Sequence, residues 1–307
     1  MPTINPQLFQ QLSEQIQTCR ETLSINYLLL IDEHYQSFQR HIQSHNIEAA
    51  TVSAESMLYS MQRIEQFQWH KKIGNIIVSI LNHFPPTPPL AVVLRQLAVT
   101  YDLEKNFRAS EECFLKALEV IEPFAETNIE AKSILASLWH NRAQLARNGE
   151  SNQELLKYNE KALKIYEEVN DNRGVVLSLN RISSLLEPHQ VQERKDINQR
   201  ALAIAEKEQD EGMMVLAQMN LGMAEVELNN AAYGIMLIKN AITFIEKNAS
   251  WRYIALAHVH LAEAFAKSGQ MSEAQRTLNY AAQIFKQHGV EVYSDKVEEV
   301  QKLIVNV

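Results

Sequence analysis

The chain has 307 residues, more than one compact core usually holds, so it is either two domains or one elongated repeat array. Eight glycines and eight prolines are too few for a turn-rich β protein, whereas the helix formers Ala, Leu, Glu, Lys and Gln dominate, so the expected class is all-α. The formal charge of −8 is spread along the chain, with none of the clustered Lys and Arg that neutralising phosphates requires, so nucleic acid is excluded as an expected partner.

The N-terminus, MPTINPQLFQQLSEQ, has no charged start followed by an apolar signal core. The longest apolar run, Tyr27 to Ile31, is far too short to span a bilayer. A soluble, cytoplasmic protein without membrane insertion is therefore expected. LFQQLSEQIQTCRETL, NYLLLIDEHYQSFQRHIQ, IEAATVSAESMLYSMQRI and FQWHKKIGNIIVSILNHF are helical stretches that make residues 1–84 a helical N-terminal region, either diverged repeats or a small bundle. Its acidic and basic residues are balanced, which disfavours a DNA-reading helix-turn-helix. Cys19 and Cys113 each sit in an amphipathic pattern with no second Cys or His at metal-ligand spacing, and both read as small apolar residues.

The clearest break follows at residues 85–89, where Pro85, Pro86, Pro88 and Pro89 remove backbone donors and stop any helix. Beyond it, CFLKALEVIE, NEKALKIYEE, NQRALAIAEK, IKNAITFIEK and NYAAQIFKQH share one pattern, with a small residue at Ala117, Ala162, Ala201, Ala241 and Ala281. The separations are 45, 39, 40 and 40 residues. A second amphipathic stretch precedes each, giving five helix-turn-helix repeats at roughly 90–123, 127–169, 172–208, 212–248 and 252–288, within an array over 90–290. Gly222 and Gly234 are positions where small size lets helix axes approach closely. Residues 291–307 form a last helix that covers the exposed end of the array.

In the last unit Leu261, Ala262, Phe265, Gly269, Ala274, Leu278 and Ala281 fall at the spacings of the tetratricopeptide-repeat (TPR) consensus, and Leu94, Leu97, Ala98, Tyr101, Ser110, Phe114, Ala117 and Pro123 fit the same template. The chain resembles a TPR protein, and its near-40-residue period is similar to the longer repeats of kinesin light chains and of bacterial Rap and PlcR peptide-sensing regulators. The resemblance implies a right-handed α-solenoid whose first helix in each hairpin lines a concave groove. It also implies a protein or peptide partner, with no cofactor and no catalysis.

Two residues before the small position of each first helix stand Gln96, Asn141, Asn180, Asn220 and His260, a polar column with Asn at its three central places. Asn is a mediocre interior helix residue, so three in register call for a reason beyond propensity. A primary amide offers a donor and an acceptor, which suits the NH and C=O of an extended peptide whatever its side chains. In peptide-binding TPR families Asn on the concave face plays this part, and the resemblance carries that role onto Asn141, Asn180 and Asn220. The plain alternative is a row of solvated groove residues inherited by repeat duplication. Flanking the column, Arg95, His140, Arg147, Met219, Met223, Val259 and Glu263 make a groove expected to be cationic and polar at its first repeats and apolar toward the fourth.

No metal site is expected, because His258 and His260 are two residues apart and lie on different helix faces. Neither a phosphate-cradling Gly-rich loop nor a Gly-x-Ser-x-Gly nucleophile turn is present. The functional expectation is a non-catalytic TPR scaffold or adaptor that holds an extended polypeptide segment. A Rap-like peptide-sensing regulator, and a structural subunit that binds a folded partner through its convex face, are the alternatives.

Overall fold

A computed structural model of the protein describes residues 5–22, 25–63, 66–145, 151–248, 251–288 and 294–305. These residues are helical, joined by turns, and contain no strand. Among them, no helix is long and apolar enough to cross a membrane. The chain forms two compact units, Met1–Val169 and Asn170–Val307.

The first unit contains α1 (Pro6–Thr22), α2 (Ile25–Gln43), α3 (Ile47–Arg63), α4 (Phe67–Leu81), α5 (Pro88–Leu103), α6 (Phe107–Ala125), α7 (Ile129–Leu145) and α8 (Asn152–Glu168). The Pro-rich segment lies inside this unit. It separates α4 from α5, and Pro88 and Pro89 open α5, where a missing N–H leaves no bond unmade. Helices α5/α6 and α7/α8 are antiparallel hairpins, and α3 and α4 both pack on α5. The core runs unbroken from Leu12 and Ile16 through Ile73, Ile77 and Ile80 to Phe114 and Leu138, so residues 1–84 share one core with the first repeats.

Helices α2 and α3 also form a hairpin, and its turn is the one used further along the chain. His45, Lys105, Asn229 and Gly269 each take a positive φ between a first and a second helix. The next residue's amide then reaches back to close the turn: Asn46 to His41 O, Asn106 to Tyr101 O, Asn230 to Glu225 O and Gln270 to Phe265 O, all at 2.8–2.9 Å. Four residues later Ala50, Ser110, Gly234 and Ala274 are all buried. The α2/α3 hairpin thus shares its turn with the later hairpins, and α4 lies between it and the next.

The second unit contains α9 (Asn172–Leu185), α10 (Val191–Glu208), α11 (Glu211–Glu227), α12 (Ala231–Asn248), α13 (Trp251–Lys267), α14 (Met271–Gln287) and α15 (Ser294–Val305). Pairs α9/α10, α11/α12 and α13/α14 are hairpins, and successive first helices α9, α11 and α13 touch. The repeated small residues of the second helices, Ala117 and Ala162 in the first unit and Ala201, Ala241 and Ala281 in the second, are all fully buried. Gly222 and Gly234 meet where α11 crosses α12. A Cβ on Gly222 would stand 2.7 Å from Gly234 O, closer than packed atoms allow, so the close approach expected of these glycines is present. Helix α15 closes the end of the array by setting Val300 among Ala255, Val259, Leu278 and Phe285, while Gln275 and Gln301 exchange paired amide bonds of 3.0 and 2.9 Å.

Candidate functional site

Asp171 and Asp210 fix where α9 and α11 begin. Their side chains accept from Gly174 N at 2.9 Å and Met213 N at 3.0 Å, satisfying first-turn amides that would otherwise lack partners. With the starts of both helices fixed, Asn180 of α9 and Asn220 of α11 face one another, and Asn220 Nδ2 donates to Asn180 Oδ1 at 3.0 Å. Asn180 is only 8% exposed, and its Nδ2 has no partner among the described residues. Burying an unmatched amide donor costs about 1–3 kcal/mol, so the pair carries a standing demand for an acceptor.

Beside this pair lies a cavity of about 330 Å³ between α11 and α13. Met219 and Asn220 form one wall, Leu256 and His260 the other, and Phe244 and Ile245 of α12 also line it. Leu216 and Tyr253 belong to the same lining, yet 40% and 62% of their surfaces remain open to solvent. Asn220 thus belongs both to the amide pair and to the apolar cavity. Burial lowers the pKa of His260, an effect that Glu263 opposes and Lys296 and Lys267 reinforce, so a neutral imidazole lines the cavity. Burial alone would raise Glu263, but Lys267 and Lys296, at 3.1 and 3.5 Å, outweigh it and hold the carboxyl below its ordinary value. Met223 is half-buried against the apolar core of this unit.

The column members of the first unit are differently occupied. Asn141 Nδ2 donates to Ser137 O, 2.7 Å away in the preceding turn of its own helix. Gln96 is 5% exposed, and its Oε1 has no partner among the described residues. Arg95 is half-buried, with Nη1 donating to Ser137 Oγ at 2.8 Å. His140 departs from the expectation that it lines the groove. It is 6% exposed and packed inside the α7/α8 hairpin, with Nδ1 3.0 Å from Asn159 Oδ1 and Nε2 2.9 Å from Gln144 Nε2. One residue along a helix is a rotation of about 100°, enough to turn the neighbour of a groove residue into the core. Arg147 lies outside the described residues.

The sequence reading missed Leu216, Tyr253, Leu256, Phe244 and Ile245. A signal for two of them was present, because Leu216 and Leu256 stand four residues before Asn220 and His260, on the same helix face. The cysteines behave as small apolar residues: burial and then Asp32 push the Cys19 thiol up to about 11, and burial raises Cys113 as well.

Compared with protein-family models and with curated protein sequences, the chain matches none. Solved structures do match. A Rap protein complexed with Competence and Sporulation Factor is similar at 15% identity and TM-score 0.62, over 91% of this chain and 82% of that one. Aspartyl phosphate phosphatase F from Bacillus subtilis is similar at 14% identity and TM-score 0.53, over 90% and 79%. A signal transduction ATPase with a tetratricopeptide repeat sensor, from Pyrococcus horikoshii, is similar at 14% identity and TM-score 0.55, over 89% of this chain and 42% of that one. At these identities the likeness is one of fold, and the fold of this chain is an all-α, TPR-like array of helical hairpins.

Proposed function

We propose that the chain is a non-catalytic adaptor whose α9, α11 and α13 helices hold an extended segment of a protein partner. The observation that carries this reading is the Asn180–Asn220 pair beside the apolar cavity. Asn180 Nδ2 is buried, whereas Asn220 is half-buried and lines the cavity, so the Asn220 amide, oriented by Asn180, is the group that an extended backbone can meet. The cavity accepts an apolar side chain from the same segment, and Met219 adapts to its shape.

The test begins with a randomised dodecapeptide display library selected on the wild-type protein. Affinities of the enriched peptides are then compared with Asn220→Ala and Asn180→Ala after their helicity and melting are checked. A lost amide–backbone bond is worth about 0.5–1.5 kcal/mol, so Asn220→Ala, which removes it, and Asn180→Ala, which removes the group that orients Asn220, should each bind roughly two- to tenfold more weakly. Peptides held equally by wild type and both variants would sink the reading and direct attention to the opposite face of the array.

A second reading, a peptide-sensing regulator, is favoured by the fold match to a Rap protein in complex with Competence and Sporulation Factor, which spans 91% of this chain. It differs from the adaptor in requiring a change of state on binding. Solution scattering with and without a selected peptide separates them, since an adaptor keeps its radius of gyration and a switch contracts.

A further inference from the structure

At the register where α7, α9 and α11 carry Asn141, Asn180 and Asn220, α13 carries His260. The three amides are all engaged within the protein, Asn141 with Ser137 O and Asn180 with Asn220. His260 has no hydrogen-bond partner among the described residues, since Glu263, Lys296 and Lys267 act on it by charge alone. Burial, and then the two lysines, keep its ring neutral against the pull of Glu263. A neutral imidazole has one bare nitrogen, which accepts, and one N–H. An unpaired polar ring therefore belongs to the wall of the cavity between α11 and α13, whose lining is otherwise mostly apolar.

The size and lining of that cavity narrow what fits it. An engineered cavity of about 150 Å³ takes up one benzene ring. This one, at about 330 Å³, has roughly twice the room, enough for two fused rings. Phe244 and Tyr253 offer aromatic surface, and the thioether of Met219 is a favourable neighbour for a ring edge. Leu216 and Tyr253 line the cavity and remain exposed, so it opens to solvent. An aliphatic occupant of the same volume would shut out water and leave His260 without any partner, which opposes binding. A phenol would satisfy the imidazole but leave about half of the volume empty. An indole does both, with two fused rings and a single N–H donor.

We infer that the cavity is an indole site, in which Phe244, Tyr253 and Met219 surround the fused rings and His260 accepts the ring N–H. The inference rests on the reading of this cavity as the place where the partner segment sets a side chain, and it names that side chain as tryptophan. Asn220, on the opposite wall, is left for the backbone of the same segment. A free indole compound presents the same chemistry, and the experiment distinguishes the two sources.

The full chain is titrated with indole, with indene, which has the same two rings without the N–H, and with p-cresol. Methionine methyl resonances are followed by NMR, that of Met219 being assigned from its loss in Met219→Leu. Indole should shift the Met219 methyl saturably and bind more tightly than p-cresol. His260→Leu should lower the ratio of indole to indene affinity roughly two- to tenfold, the effect of one hydrogen bond, and His260→Gln, which keeps an acceptor, should preserve more of that ratio. Both variants are first checked for unchanged helicity and melting, and the comparison of indole with p-cresol on the wild-type protein depends on neither. No saturable shift with indole, tighter binding of p-cresol, or a ratio unchanged in His260→Leu would each overturn the inference. The peptides enriched by display selection then separate the sources. Tryptophan among them, with about tenfold weaker binding once it is replaced by leucine, marks a polypeptide. Indole binding with no enriched peptide marks a free indole compound, so that the indole site stands and the peptide reading fails. Enriched peptides without tryptophan, together with no response to indole, leave the peptide reading standing and overturn the indole site.

Discussion

A buried histidine shows how far a single side chain can bias this molecule. His70 is fully buried in α4, with the Thr100 hydroxyl 3.0 Å from Nδ1 and no partner for Nε2 among the described residues. Burial lowers its pKa from 6.5 to about 4. The unfolded chain therefore takes up a proton first as pH falls. The stability contributed by the neutral ring is complete above about pH 6.5 and is lost progressively toward pH 4, by an amount on the order of 3 kcal/mol. His70→Asn, whose Oδ1 can take the place of Nδ1, should flatten that part of the stability curve when denaturant melts are compared at pH 7 and pH 4.5. At the same scale, the polar column was legible in the sequence because Asn is conspicuous on an apolar helix. The roles of its neighbours were not, because Arg95 and His140 differ from groove residues only by one step of helix rotation, and periodicity alone does not fix that phase.

Among the elements, the hairpins were legible from the spacing of their small residues, which reflects how closely two helices must cross. Gly222 and Gly234 make this most acute: a Cβ on Gly222 would also fall 2.6 Å from Ile238 Cγ1. Gly222→Ala should destabilise the second unit by about 1–3 kcal/mol despite the better helix propensity of alanine, read as a lower denaturation midpoint. A gentler change at a helix start serves as a contrast. Ser151 and Glu154 form a reciprocal capping box on α8, so Ser151→Ala should cost about 1 kcal/mol in the same measurement. For residues 1–84 the sequence left diverged repeats and a small bundle both open, because a search for Ala and Leu spacings finds no repeat there. What the α2/α3 hairpin shares with the later repeats is a left-handed turn residue followed by Asn or Gln and, four positions on, a small residue, as in His45-Asn46 with Ala50 and Lys105-Asn106 with Ser110.

For the molecule as a whole, an array of hairpins depends on its ends being covered. Helix α15 does this for the second unit through Val300, and it joins a run of charges linking Arg194 to Glu227, Glu227 to Lys267, Lys267 to Glu263 and Glu263 to Lys296. Deleting residues 289–307 should lower the melting temperature and expose the apolar face around Val259 and Leu278, seen as increased binding of a hydrophobic dye. Equal melting of the full and shortened chains would show that α15 contributes nothing. The cavity has a related consequence. Its walls come from α11 and α13, in two different hairpins, and Phe244 and Ile245 add lining from α12 between them. Whatever fills it must leave before those hairpins can separate, so occupancy becomes resistance to local opening. At a hundred times its dissociation constant, a ligand should slow amide hydrogen exchange in α11–α13 by about a hundredfold, some 2.7 kcal/mol, while helices remote from the cavity exchange as before. The array would then report its ligand as a band of protection whose place along the chain identifies the hairpins that hold it.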